Sequence, residues 1–274
     1  MSTDLLYLPL LLLIILFLVF KQKQYWKENF ALTLNLKREV VLCIICIGFL
    51  FATIELHKTK YDTIPKFEMG SFDKTQIDSI NIFDRTVAGR WDIESKDMGK
   101  IFKYTAIFII PISLLFFRGT IKRRLILLFI FMIGYKITEY FTGLSKGLVN
   151  RYRPFTYRTM EEINNLNSEA KEKFLEDIVD YDIVNSFFSG DTSLTAYGFV
   201  FFAFAYQVFY KESKYRRVVW AVAVICIILV CYYRTMSGKH FPSDVIIGAL
   251  IGSLIAFYNV KIHKPKQELS TKSI

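Results

Sequence analysis

Apolar residues fall along this chain in seven long blocks separated by charged stretches, at roughly 4–20, 39–56, 102–118, 124–142, 192–210, 217–233 and 243–260. Several blocks run to about 17–19 residues, the short end of what crosses a hydrocarbon core of about 30 Å. Each predicts a membrane-spanning helix, and together they predict an all-α, polytopic helical bundle of about seven spans in one membrane domain. The first block carries Asp4 in place of a basic leader, and no small-residue cleavage site follows it. It therefore reads as a span rather than a signal peptide.

The charges between the blocks set an orientation. Lys21, Lys23, Lys27, Lys37 and Arg38 follow the first block; Arg118, Lys122, Arg123 and Arg124 lie between the third and fourth. Lys211, Lys214, Arg216 and Arg217 lie between the fifth and sixth, and Lys261, Lys264, Lys266 and Lys272 follow the last. Alternation through seven spans puts all four groups on one face, which is then the cytoplasmic one. The opposite face holds two long hydrophilic segments, 57–101 and 143–191. In the first, Ile77, Ile80, Ile82, Phe83 and Val87 predict a short helix lying on the membrane surface. The second carries Glu161, Glu162, Glu169, Glu172, Glu176, Asp177 and Asp180 among Ile163, Leu166, Phe174, Leu175 and Ile178. It reads either as one or two polar helices forming a lid over 155–185 or as a solvated linker. The expected organisation is an extra N-terminal helix and cytoplasmic linker over 1–38, a membrane domain over 39–260, and a disordered cytoplasmic tail over 261–274.

Composition supports a membrane chain: 53% of the 274 residues are hydrophobic. The net charge of +10 then reports cytoplasmic Lys and Arg, not nucleic-acid binding. Cys43, Cys46, Cys226 and Cys231 sit in or beside apolar runs, and the stretch Val-Leu-Cys-Ile-Ile-Cys-Ile-Gly around Cys43 and Cys46 holds no His or acidic residue. They read as small packing residues and not as a redox pair. Gly248 and Gly252 form a small-xxx-small pair on the last span, expected to let two helices pack closely.

Three short polar stretches at span ends carry the candidate chemistry. The first has Lys146, then Arg153-Pro154 seven residues on; the second is Ser189-Gly190-Asp191-Thr192; the third has Arg234, His240 six residues later, and Asp244 four beyond that. All three fall on the outer face. Phosphoryl transfer is mostly positioning and charge stabilisation. Lys146, Arg153 and Arg234 supply three cations, the arginines as planar forks and the lysine as a point charge. Ser189-Gly190 opens the fifth span, where outward-facing backbone amides of a helix N-terminus suit an anion. His240 precedes Pro242, a favourable first helical residue. A carboxylate four residues on, Asp244, is placed to hold the imidazole in one tautomer with its other nitrogen facing phosphorus. Taken singly, Lys146 and Arg153 read as interfacial cations and Asp244 as a helix cap.

The three stretches together resemble the signature of the type 2 phosphatidic acid phosphatase superfamily, which includes vanadate haloperoxidases: Lys-x6-Arg-Pro, then Pro-Ser-Gly-His, then Ser-Arg-x5-His-x3-Asp. The resemblance covers about residues 130–260, with motif order and placement at helix ends intact. It implies a six-helix phosphatase core, preceded here by one extra helix. It also implies that His240 attacks phosphorus to form a phosphohistidine, and that Asp244 orients it. Lys146, Arg153, Ser189, Gly190 and Arg234 would hold the phosphoryl oxygens, with no metal or cofactor required. The implied partners are the bilayer and a phosphorylated lipid: an isoprenoid diphosphate, phosphatidylglycerol phosphate, phosphatidic acid or lipid A. The expected location is the bacterial inner membrane with the site on its outer face.

Tyr233 stands where the third motif has Ser, and Phe188 where the second has Pro. Asp191 stands where the second motif has the His that protonates the leaving oxygen. A carboxyl with a reference pKa of about 4 is mostly ionised at neutral pH, and nearby cations lower it further. Three readings follow: Asp191 is protonated by a site crowded with substrate charge and still serves as the acid; the leaving group is good enough, as in a lipid diphosphate, to need little protonation; or the chain is a weakened homologue that binds or transports lipid phosphates. On position alone Asp191 also reads as the N-cap of a helix starting at Thr192.

Overall fold

The computed structural model describes residues 32–61, 74–179 and 181–264. The first expected span, the basic stretch after it up to residue 31 and the tail from 265 lie outside them. Among the described residues the regular elements are all helical: α1 (Leu36–Tyr61), α2 (Lys74–Ser79), α3 (Ile82–Arg85), α4 (Ile93–Tyr104), a π-helical turn (Thr105–Ile109), α5 (Ile110–Leu114), α6 (Ile121–Leu148), a 3₁₀ turn (Pro154–Tyr157), α7 (Met160–Asn164), α8 (Ser168–Val179), a second 3₁₀ turn (Tyr181–Val184), α9 (Gly190–Phe209), α10 (Arg216–Met236) and α11 (Pro242–His263).

Five of these helices, α1, α6, α9, α10 and α11, are long and apolar enough to cross a membrane. The third expected span is present as α4, the π-helical turn and α5 in succession, and not as one regular helix. Pro111, near the start of α5, lacks the N–H that a regular helix would donate back to Ile107. The chain widens to a π turn just before it. The long helices also overrun their apolar blocks. α6 continues past residue 142 to Leu148, and α10 continues past 233 to Met236. Those extra turns carry Lys146 and Arg234 beyond the apolar zone.

α9 and α6 form the interior of the bundle, whereas α1 and α10 present most of their apolar surface outward. Tyr197, Phe201, Phe131, Ile130, Leu127 and Leu114 are fully buried between them. α11 packs along α9 through its two glycines. A methyl group on Gly252 would stand 2.0 Å from the carbonyl oxygen of Ser193, and one on Gly248 would stand 2.7 Å from that of Ser189. The small-xxx-small pair thus serves packing inside the bundle, and it brings the N-terminus of α9 against the N-terminus of α11.

The segment 143–191 is folded, not a solvated linker. Thr159 and Glu162 form a reciprocal capping box at the start of α7. Phe155, Ile163, Phe174, Ile183 and Val184 close a small separate core beneath α7 and α8. The expected surface helix near 77–87 appears as two pieces, α2 and α3, broken at Asn81, which caps α3 by accepting from the Asp84 amide. Ile82 and Phe83 are exposed and Val87 is buried.

Candidate functional site

All three polar stretches meet at one end of the bundle. α6 ends with Lys146 in its last turn. The chain then runs extended to Arg153, and Pro154 starts the 3₁₀ turn. The Arg153 amide donates to the Ile183 carbonyl at 2.8 Å, and Arg153 Nη1 donates to the carbonyl of Lys239 at 2.7 Å. A backbone bond from Phe155 to Gly238 at 3.1 Å fastens the same turn to the loop between α10 and α11. Gly238 has φ +70°, and a Cβ there would strike the Arg90 carbonyl at 1.8 Å. Only glycine fits that crossing.

His240 lies at the centre, only 1% exposed. Its Nδ1 is 2.7 Å from the Ser186 carbonyl oxygen. A carbonyl only accepts, so Nδ1 carries the proton; a guanidinium only donates, so Nε2 beside Arg153 keeps a lone pair. Arg153 Nη1 donates to Nε2 at 3.3 Å. Burial first, then Arg153, Arg234 and Lys146, hold the imidazole pKa well below its ordinary 6.5. The ring is neutral, in one tautomer, among three cations.

The expected direct contact from Asp244 to His240 is replaced by an indirect one. Asp244 lies in the first turn of α11 and folds back to accept from the Phe241 amide at 2.9 Å. It also accepts from Ser186 Oγ at 2.6 Å. Ser186 therefore joins the two: its hydroxyl binds Asp244 and its carbonyl binds His240. Arg151 Nη1 donates to Asp244 at 2.5 Å, and Arg151 Nη2 donates to Asp84 at 2.6 Å. Asp84 also accepts from Ser243 N at 2.9 Å, Ser243 Oγ at 2.6 Å and Asn81 Nδ2 at 2.7 Å. Burial raises the Asp84 pKa, but the hydrogen bonds from Ser243 and Arg151 outweigh it and the net shift is downward.

The N-terminus of α9 differs from expectation by one role. Ser189, not Asp191, is the N-cap. Its Oγ accepts from the Thr192 amide at 3.4 Å and pairs with the Thr192 hydroxyl at 2.9 Å. The helix starts at Gly190 because this hydroxyl already satisfies the Thr192 amide. A methyl on Gly190 would lie 3.8 Å from Lys146 Nζ, so the lysine head reaches the start of α9. Asp191, in the first turn, has both oxygens on cations: Lys103 Nζ at 2.9 Å and Arg234 Nη1 at 3.1 Å. These are the contacts of a carboxylate and not of a proton donor.

The structure thus gathers Lys146, Arg153, Ser189, Gly190, Asp191, Arg234, His240 and Asp244 into one site. It adds residues that sequence reasoning missed. Ser186, Arg151 and Asp84 form the support of His240, and Lys103 joins Asp191. Lys239 Nζ donates to Asp177 of α8 at 2.6 Å, and Lys96 and Trp91 donate to the same carboxylate. Burial, and then Arg153, push the Lys239 pKa down to about 8. One signal was available: Asn81 three residues before Asp84 is a capping pattern. Arg151 sits among the spacer positions of the first motif, where nothing marks it.

An all-helical membrane fold with a neutral histidine in a cationic pocket defines a class, and comparison with known proteins gives the family. The PAP2 superfamily model matches residues 123–268, and the chain belongs to that superfamily. It is 30% identical over 140 residues to the bacitracin transport permease protein BcrC of Bacillus licheniformis, covering 51% of this chain and 56% of that protein. It is 46% identical over 43 residues to an undecaprenyl-diphosphatase of Sulfolobus acidocaldarius, covering 16% of this chain and 21% of that protein. The chain therefore spans little more than half the length of the first relative and about a fifth of the second. No solved structure matches.

Proposed function

We propose that this protein is a metal-independent lipid phosphatase in which His240 is the nucleophile, and that its preferred substrate is a lipid diphosphate. The observation that carries this is the setting of His240: buried, Nδ1 2.7 Å from the Ser186 carbonyl oxygen and Nε2 3.3 Å from Arg153 Nη1. In the first step the Nε2 lone pair forms an N–P bond with the terminal phosphorus. The bridging P–O bond breaks, and its electron pair leaves on the lipid monophosphate. That step needs no proton, because the departing phosphate is already a stable anion. In the second step water attacks the phosphohistidine, releasing dihydrogen phosphate and returning neutral His240. Arg153, Arg234 and Lys146 stabilise the charge on the phosphoryl oxygens, together with the first amides of α9.

A lipid monophosphate would release an alkoxide, which requires a proton. Asp191, paired with Lys103 and Arg234, is not built to give one. This mismatch favours the diphosphate, as does the likeness to an undecaprenyl-diphosphatase. The site then lies at the outer membrane–water interface of a bacterial inner membrane, with the lipid tail between helices.

The test is phosphate release by wild type, His240→Ala and Asp191→His on matched isoprenoid diphosphates and monophosphates, with and without chelator. The expected result is chelator-resistant cleavage of the diphosphate by wild type and none by His240→Ala. Asp191→His should raise monophosphate turnover, general-acid help being worth about 10²–10⁴-fold. A wild type that binds these lipids but releases no phosphate would instead identify a lipid-phosphate binder.

A further inference from the structure

Two positions depart from the family motifs in chemically consequential ways, Asp191 for His and Tyr233 for Ser, and both touch the same element. Asp191 pairs with Lys103, in the last turn of α4. Tyr233 stacks on Phe102 of α4, ring centroids 6.1 Å apart and planes within 25°. One turn earlier Gly99 faces Arg234: a Cβ there would lie 2.8 Å from Arg234 Cδ. Gly99, Phe102 and Lys103 thus share one side of α4, and that side lies on the end of α10. α4 precedes the stretch matched by the family model, residues 123–268, so no motif records its contribution.

We infer that Lys103, held in place by Asp191, is the cation that receives the departing lipid phosphate when a diphosphate is cleaved at His240. The inference rests on the phosphatase reading given above. Asp191 bridges Arg234, one of the cations around His240, to Lys103. Lys103 is thereby fixed one carboxylate away from Arg234 and is still a third exposed. The missing histidine would have given a proton to an alkoxide. A fixed ammonium instead stabilises a leaving group that departs as an anion. Charge-assisted hydrogen bonds of this kind hold their partner by contact and charge together. On this account Asp191 does not transfer a proton; it positions Lys103, and Phe102 against Tyr233 with Gly99 against Arg234 keep α4 in register.

The experiment compares full-length wild type, Lys103→Met, Lys103→Arg and His240→Ala in detergent or nanodiscs. The substrates are an isoprenoid diphosphate and its monophosphate, and inhibition by inorganic pyrophosphate and by phosphate is measured alongside. Lys103→Met should lower kcat/KM on the diphosphate by about 10–100-fold, the worth of a hydrogen bond to a charged group. It should weaken pyrophosphate inhibition to a similar degree. Monophosphate turnover and phosphate inhibition should fall by clearly less, the residual loss reflecting Asp191 left to Arg234 alone, and Lys103→Arg should restore most of the diphosphate rate. Equal losses on both substrates, a larger loss on the monophosphate, or no loss at all would overturn the role of Lys103. If His240→Ala is inactive in the same assay, the phosphatase reading survives that outcome. An active His240→Ala, or a wild type inert on both lipids, overturns the phosphatase reading and this inference with it.

Discussion

Arg151 is the residue whose removal says most about how the site is held. Its guanidinium bridges two carboxylates, Asp244 at 2.5 Å and Asp84 at 2.6 Å, and lies over the Phe241 ring at 4.2 Å. Both carboxylate side chains are 0% exposed, whereas that of Arg151 is 23% exposed. Removing one partner of a buried pair costs about 3–5 kcal/mol, because the other charge is left uncompensated. Here the lower end applies. The guanidinium is partly solvated, Asp84 keeps its bonds from Ser243 and Asn81, and Asp244 keeps those from Phe241 and Ser186. Arg151→Met should therefore destabilise the protein by about 3 kcal/mol. At about 2–4 °C per kcal/mol for a chain of this order of size, thermal unfolding in detergent should fall by about 6–12 °C.

The same substitution frees Asp244 on one side, and Asp244 positions Ser186, whose carbonyl fixes the His240 tautomer. Loss of that order should lower kcat more than it raises KM, because Arg151 bonds Asp244 and Asp84 and acts on His240 through them. A double-mutant cycle with Asp84→Asn separates this network from simple surface charge. The two substitutions remove the same contact, so their combined effect should fall short of the sum by about 1–3 kcal/mol. Additive effects, or an Arg151→Met protein with wild-type melting and wild-type kcat, would refute the account.

Two other predictions concern pH and packing. The folded-state pKa of His240 lies below its unfolded value near 6.5, so the unfolded chain binds the proton first. The stability contributed by this group is complete above pH 6.5 and is lost as pH falls through the folded-state value. His240→Gln should flatten melting temperature against pH in that acidic window, and an unchanged slope there would count against a neutral buried imidazole. For packing, Gly252→Ala places a methyl 2.0 Å from the Ser193 carbonyl, whereas a methyl on Gly48 meets nothing within 4 Å. Melting should drop for Gly252→Ala, with overpacking worth about 1–3 kcal/mol. Gly48→Ala should hold or rise, by up to about 1 kcal/mol of helix propensity. Equal behaviour of the two would contradict the close approach of α9 and α11.

Membrane helices are legible because a span must be apolar along its length, which is why α1, α6, α9, α10 and α11 fall where the apolar blocks do. The cations around His240 are legible for a related reason. A Lys or Arg one turn beyond an apolar block has few places to go, and Lys146 and Arg234 are such residues. What spacing does not show is partner choice among polar groups. From four residues' separation Asp244 looks like the partner of His240. Once α11 starts at Pro242, however, the Asp244 side chain is nearer its own helix's first amide, and it caps. The acceptor for His240 is then a backbone carbonyl, Ser186, and every residue has one of those. Arg151 and Asp84 are hidden similarly: each is an ordinary charge in a polar stretch until α3 lies against the N-terminus of α11 and the Ser243 amide meets Asp84. Asp191 is the opposite case. It stands out in the sequence as a fault in a motif, and its meaning emerges only with Lys103, on an element the motifs do not reach. A departure in one position of such a site is therefore best judged together with whatever new neighbour it has acquired, because a carboxylate paired with a lysine carries a different local charge from a lone carboxylate.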